Sequence, residues 1–562
     1  MKSSISRVLA SAAMLLMGIA AFAQTHSVSG TVVDASDGQP IIGAGVTLST
    51  GGGTVTDYEG KYVINASDDA ILTFSSLGYQ STEVKVGGQT VINVKLTPDT
   101  EALEEVVVLG YTTQKKAELS SAVVSIAGEK LTDVTTPDVG NMLQGKVAGV
   151  MVMNSSGQPG AGADIRIRGT GSINAGAGPL YVVDGVAGGS FNPNDVETLT
   201  VLKDASATAL YGAAASGGVI VITTKGARSD KATVNFKASV GAKRALHGRF
   251  KPMDAYELYD LYSKIYTKSQ LKGNAPKQEE LGDYNFNWVD NTYRTGLVQN
   301  YYASVSGKAG KVGYYASIDH YNEKGSLIGS AYWRNSARVN LNAPITERLT
   351  MNVRVSYTKD NTLGGNWFTR ENAYVMEPFD IPYIIDAEGN VTSEPLQVTN
   401  SKRSDNKKKW YSAVTENYFH NELYNYDKSH GESLVGDLQL IWNVTDWLTL
   451  TSTNRYDSSN SFSESYTDKR TTAGAPDGSL SNSDSEWNSW GTTNIAKFHH
   501  TFGDHDVSAI VGWEFGQGYS RSMGVSGNSM PAGQRAISNT VNWIGEGSDY
   551  HTRTWALLSQ AH

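Results

Sequence analysis

From residue 230 onward the chain alternates apolar and polar residues with a period of two, and this pattern restricts the fold more than any other feature. Ala232, Val234, Phe236, Ala238 and Val240 alternate with Thr233, Asn235, Lys237, Ser239 and Gly241. Leu349, Met351, Val353, Val355 and Tyr357 repeat the pattern, as do Val507, Ala509, Val511, Trp513 and Phe515. Such segments are strands with one apolar and one polar face. A soluble sandwich alternates in the same way, so connection lengths must decide. Very short turns are expected at Lys308 to Lys311, Ala343 to Arg348, Asn443 to Trp447 and Gly503 to Asp506. Between them lie long connections, roughly Ala242 to Val298, Asp360 to Glu432, Ser458 to Ser489 and Gly516 to Tyr550. Strict short-long alternation is how a transmembrane antiparallel β-barrel is built, and sandwich loops have no reason to segregate so.

The start of the chain agrees with export. Lys2 and Arg7 precede an apolar run from Val8 to Phe22, and Ala21 and Ala23 flank Phe22 as a small-residue cleavage signal, so residues 1–23 read as a signal peptide. No later stretch approaches the roughly 18 apolar residues of a spanning helix, which leaves strands as the means of crossing a membrane. With 58 Gly, 29 Tyr, 11 Trp and 18% charged residues the composition suits many short-turned strands with aromatic girdles. Zero cysteines exclude disulfides, thiolate chemistry and an N-terminal lipid on Cys. A net charge of −9 argues against a nucleic-acid partner.

Residues 25–98 have their own punctuation. Turn signals at Asp37-Gly38, Gly51 to Gly53, Glu59-Gly60 and Gly87-Gly88 separate short β-rich runs, predicting a small β-sandwich. The runs beginning Val28-Ser29-Gly30-Thr31, Pro40-Ile41-Ile42-Gly43 and Thr56-Asp57-Tyr58-Glu59-Gly60 resemble the carboxypeptidase-regulatory-like domain, an accessory module without catalytic residues. Residues 99–118 read as a linker: an acidic stretch from Asp99 to Glu105 leads into Val106-Val107-Val108-Leu109. Pattern alone equally allows a free strand that pairs with a partner or a last strand of the sandwich; the position between two domains favours the former.

Residues 119–228 predict a compact α/β unit, and residues 229–562 the first part of the barrel. Within the α/β unit, Ile165-Arg166-Ile167-Arg168-Gly169, Pro179 to Val186, Asn192-Pro193-Asn194-Asp195-Val196-Glu197, Val201 to Ala207 with Tyr211-Gly212, and Gly218 to Gly226 resemble, in order and spacing, the plug of the SusC/RagA family of TonB-dependent transporters. The resemblance runs from residue 24 onward. It implies an outer-membrane barrel with an internal plug, a TonB box formed by Glu105, Val106, Val107 and Val108, a SusD-like surface lipoprotein, and import of an oligosaccharide or peptide. Ala213 to Gly218 departs from the family's Ser-Arg-Ala-Ala-Asn-Gly-like stretch, which puts some plug-to-barrel hydrogen bonds in doubt. About ten strands are legible, against about 22 in plugged transporters, so the chain is expected to be the N-terminal portion of a longer protein that does not transport alone.

Four plug residues read as structural: Arg166 and Arg168 on one strand face, either buried against carboxylates of the barrel wall or solvated, and Asp184-Gly185 as a hairpin turn. Aromatics of the outer connections, Trp288, Trp410, Tyr411 and Tyr418, with Tyr284, Phe286 and Tyr424, are candidates to stack on cargo, with girdle or loop packing as the alternative. No catalytic residue, cofactor or metal is predicted: Gly169-Thr170-Gly171 has no third spaced glycine or following helix, and no Walker, H-E-x-x-H or G-x-S-x-G motif occurs. The rival classes are a receptor or adhesin without active transport, which needs neither β-box nor plug, and a secreted hydrolase, which needs a legible catalytic constellation.

Overall fold

A computed structural model of the chain describes residues 25–35, 38–49, 51–76, 79–97, 106–108, 113–115, 123–154, 156–169, 178–204, 208–227, 229–364, 372–386, 390–397, 416–472, 474–503 and 505–561. Residues 1–23, expected to be a signal peptide, and Glu105, Trp410 and Tyr411 lie outside the described residues. The chain forms two compact units, one running to Val107 with the return of Gln114–Leu119, the other comprising Val108–Thr113 and Ser120–His562.

In the first unit, β1 (Thr25–Asp34), β2 (Gly45–Leu48), β3 (Gly53–Val55), β4 (Lys61–Ser67), β5 (Ile71–Ser75), β6 (Thr82–Lys85) and β7 (Val94–Leu96) make two sheets, ordered β4-β1-β7 and β3-β2-β5-β6. Alternation does the folding: in β4, Tyr62, Ile64 and Ala66 point into the core and the residues between them point out. Val28, Val32, Leu72, Phe74 and Leu96 fill the same core. Gly30 is required there, because a Cβ would lie 1.8 Å from the Ile92 carbonyl oxygen. In the linker, β8 (Val106–Val108) and β9 (Thr113–Lys115) form a two-stranded sheet of their own.

The second unit begins with β10 (Val123–Ala127), β11 (Val150–Met153), β12 (Asp164–Ile167), β13 (Leu180–Val183), β14 (Val186–Ala187), β15 (Val196–Leu202) and β16 (Val219–Thr224). Five of these make a mixed sheet, β10-β15-β16-β13-β14, and β11 and β12 a separate ribbon. The near-continuous apolar run of β16 is buried, and so is most of β15, as expected of central strands. With Leu131, Met142 and Leu143 from two short helices they form the plug's core.

Around it runs a ten-stranded antiparallel sheet whose neighbours follow chain order: β17 (Thr233–Lys243), β18 (Gly296–Ala309), β19 (Val312–Lys324), β20 (Ala331–Pro344), β21 (Leu349–Gly364), then, after a small outer ribbon of β22 (Tyr383–Ile385) and β23 (Val391–Pro395), β24 (Tyr426–Asn443), β25 (Leu448–Thr467), β26 (Ser479–Phe502), β27 (His505–Asn528) and β28 (Asn542–Ala561). Its burial is inverted relative to a soluble protein. Toward the plug, Asn300, Ser317, Asp319, Arg334, Arg338, Asp437 and Arg455 are buried, whereas Val234, Phe236, Ile318, Val339, Leu438 and Trp442 on the opposite face are exposed. Polar inside and apolar outside is the arrangement of a wall bathed in hydrocarbon. Trp442 and Trp447 near one end of the strands, with Tyr357, Tyr456 and Trp490 farther along, supply exposed aromatics.

Two features depart from the expected connections. The link between β19 and β20 comprises only residues 325–330, on the side where the other connections are long. The strands β25 to β28 also continue well beyond the expected segments, so much of the supposed loop sequence is hairpin. Among the described residues no helix is long and apolar enough to cross a membrane, which says nothing of strands.

Candidate functional site

The seam between plug and wall is where buried charge concentrates. The Asp184-Gly185 turn joins β13 to β14 with both residues left-handed, φ 52° and 85°, as a tight hairpin turn requires. Its carboxylate accepts hydrogen bonds from the Thr224 amide (2.9 Å) and hydroxyl (2.8 Å). Two wall arginines approach it, Arg338 at 3.8 Å and Arg354 at 3.7 Å. Further along the plug, Asp195 accepts from the hydroxyls of Tyr315 (2.8 Å) and Ser317 (2.7 Å), and its other oxygen lies 3.6 Å from Arg338 Nε.

The Asn192-Pro193-Asn194-Asp195 segment and carbonyls elsewhere on the plug carry further grips on the wall. Asn192 Nδ2 donates to Ser336 (2.7 Å) and Asn194 Nδ2 to Asp319 (2.8 Å), while Asn340 Nδ2 donates to the Lys225 carbonyl (2.7 Å). Arg334 donates to the Pro137 carbonyl at 2.9 Å. Arg455 is held by Asp437 (2.6 and 2.7 Å) and donates onward to the carbonyls of Val183 (3.0 Å), Val186 (3.2 Å) and Gly188 (2.9 Å). The grips made by arginine and aspartate are charge-assisted and directional, hence strong one by one. Such a seam holds the plug in register.

The sense of this network reverses the expected one. Arg166 and Arg168 are the arginines that the sequence offers to carboxylates of the wall; instead the wall brings the arginines and the plug the carboxylates. Arg166 pairs with Asp164 of its own strand (2.7 Å). Arg168 lies past the end of β12 with φ 59°, half-exposed, and pairs with Asp204 of the plug. The two therefore do not share a strand face: β12 stops at Ile167, and the left-handed turn redirects Arg168.

Of the candidate cargo aromatics, Trp288 and Tyr418 are placed in a core, with Phe286 packed against it. Trp288 is 2% exposed, donates Nε1 to the Glu377 carbonyl (3.1 Å) and packs on Tyr418, Phe286 and Phe419. Tyr418 is fully buried, its hydroxyl engaged with Thr292. They cement the outer connections and offer no face to a ligand. Burial pushes the Tyr418 hydroxyl well above the usual phenol range, so it stays protonated.

A cavity of about 770 Å³ lies instead between plug residues 134–161 and the outer ends of the first wall strands. Asn141, Gln144, Asn154 and Gln158 line it from the plug, and His247, Tyr293 and Tyr374 from the outer connections. His247 Nδ1 is 2.7 Å from the Tyr374 hydroxyl, and its ring meets that of Tyr293 edge-on at 4.8 Å. At its wall Lys243 and Glu323 neutralise each other at 2.6 Å. Carboxamides offer donors and acceptors together, and the rings offer flat apolar faces. None of these residues stands out by pattern, since they come from segments far apart in the sequence. Among the described residues no group of His, Asp and Glu is arranged to hold a metal.

Comparison with known proteins gives the following matches. Residues 115–219 match the TonB-dependent receptor plug domain, and residues 28–108 the CarboxypepD_reg-like domain. The TonB-dependent receptor SusC of Bacteroides thetaiotaomicron is 35% identical over 448 residues, covering 76% of this chain and 43% of SusC. The TonB-dependent receptor P3 of Formosa agariphila is 35% identical over 422 residues, covering 71% of this chain and 41% of that protein. The structure of the RagAB peptide importer in its open-open state superposes with a TM-score of 0.70 at 26% identity, covering 81% of this chain and 54% of that one. The chain thus spans less than half the length of the curated relatives it matches.

Proposed function

Because the chain is, over the part it spans, a SusC/RagA-type TonB-dependent transporter in sequence and fold, we propose that it serves energised import of a nutrient, an oligosaccharide or a peptide, across the outer membrane. The observation that carries this reading is the plug sheet seated against the wall by Asp184, Asp195 and Arg455, preceded by a strand-forming segment at Val106–Val108. A passive receptor has no use for a domain that fills its lumen and is fastened by polar grips.

In this reading cargo settles in the cavity between plug and outer connections. TonB then adds a strand at Val106 to Val108, and force from the inner-membrane proton gradient remodels the plug. Strand addition needs only backbone groups and an extended, β-branched segment, which the three valines provide. A SusD-like lipoprotein as lid is supported by the apolar rim of the first outer connection, where Leu246 is 93% exposed and Phe250 and Met253 about half exposed. The expected signal peptide and the outward apolar wall support location in the outer membrane.

Uptake by cells carrying the complete protein tests the proposal, comparing wild type with Val107→Pro, which removes a backbone donor from the pairing strand. Surface binding is expected to persist while accumulation is lost. Unchanged accumulation would sink the energised reading and favour a receptor or adhesin.

A further inference from the structure

The segment offered to TonB is not single-stranded at rest. Val106–Val108 and Thr113–Lys115 pair as a two-stranded sheet, which belongs neither to the sandwich sheets nor to the plug sheet. The two strands are unlike. β8 is three β-branched residues, the best strand formers available, whereas Thr-Gln-Lys in β9 has only one residue of that kind. A ribbon this short, with no third strand, is marginal in water. It is strong enough to occupy one edge of β8 and weak enough to be replaced.

We propose that β9 is a placeholder for the partner's strand: it pairs with Val106–Val108 until TonB displaces it, and its displacement frees the linker for pulling. A bare edge of three valines is a hazard for mispairing, and covering part of it with a lysine-bearing strand is a recognised protection.

This inference rests on the reading of Val106–Val108 as the TonB-pairing strand, and its test separates the two. The complete protein in detergent is titrated with the periplasmic domain of TonB, using wild type, Val107→Pro, Gln114→Pro and Gln114→Val. Gln114→Pro disables the placeholder and leaves the valines untouched. Capture is expected to tighten about fivefold, the span of strand propensity expressed as a binding ratio. Gln114→Val strengthens the placeholder and is expected to weaken capture by a similar factor. Opposite shifts at one position are not produced by general damage to the linker. If both Gln114 variants bind as wild type, or if Gln114→Pro binds more weakly, β9 is not a placeholder. If Val107→Pro is captured as well as wild type, it is the pairing-strand reading that fails.

Discussion

Arg455 shows how much one side chain can hold. Its guanidinium is buried, paired with Asp437 and spread over three plug carbonyls. Replacing it with Ala would leave Asp437 buried without its cation and strip three grips from the β13–β14 turn. Removing one partner of a buried pair costs roughly 3–5 kcal/mol. Arg455→Ala is therefore expected to make the plug far more susceptible to protease in intact outer membranes, while the barrel still inserts. Asp468, in the outer connection after β25, behaves differently. Burial alone would push its carboxyl up, but hydrogen bonds from Arg470, Tyr466 and the Gly533 amide outweigh burial and hold it well below the usual carboxylate range. A depressed carboxylate contributes stability above its unfolded value, near 3.8, and loses it as pH falls through the folded value. Hydrogen exchange around residues 468–478 and 533 is thus expected to rise at pH below about 3.8 in wild type. In Asp468→Asn it should be raised already at neutral pH and no longer respond to acid.

At the scale of the element, the period of two predicts which substitutions a strand tolerates. Val339 faces outward and is 45% exposed, while Asn352, on the neighbouring strand, faces the lumen and bonds Asn342 and Gln439. Arg on a lipid-facing position near mid-membrane costs roughly 2–4 kcal/mol, whereas lumen positions take charge readily. Val339→Arg is expected to lower the folded, heat-modifiable fraction on gels, and Asn352→Arg to leave it nearly unchanged; equal effects would contradict the assigned faces. The same alternation makes the wall legible from sequence at Ala232 to Gly241 and Leu349 to Tyr357. It is silent on the arginines, because a lumen-facing Arg338 or Arg354 looks like any other polar residue of an alternating strand. Asp184-Gly185 is legible as a turn, since consecutive left-handed residues favour that pair. Its role as an anchor depends on wall strands more than 150 residues away, which no local pattern reports. Trp288 and Tyr418 mislead for a related reason: an aromatic in a long connection is equally suited to a ligand or to a core, and here the connections have a core of their own.

For the molecule as a whole, the division into two compact units predicts that the sandwich unfolds on its own. Its core is small, and Phe74 lies at its centre, fully buried and in edge-on contact with Tyr62 at 5.3 Å. Truncating a buried Phe to Ala removes about 3–5 kcal/mol. At roughly 0.05–0.15 kcal/mol per residue, a domain of about 70 residues has about 4–11 kcal/mol in all, so the truncation removes much of it. Phe74→Ala is therefore expected to leave the sandwich largely unfolded at 37 °C, seen as rapid proteolysis of residues 25–97. The wall and plug keep their own grips through Asp184, Asp195 and Arg455, so their thermal transition should not move. A shift of that transition by several degrees would mean that the two units share stability, and that the sandwich braces the plug instead of merely preceding it.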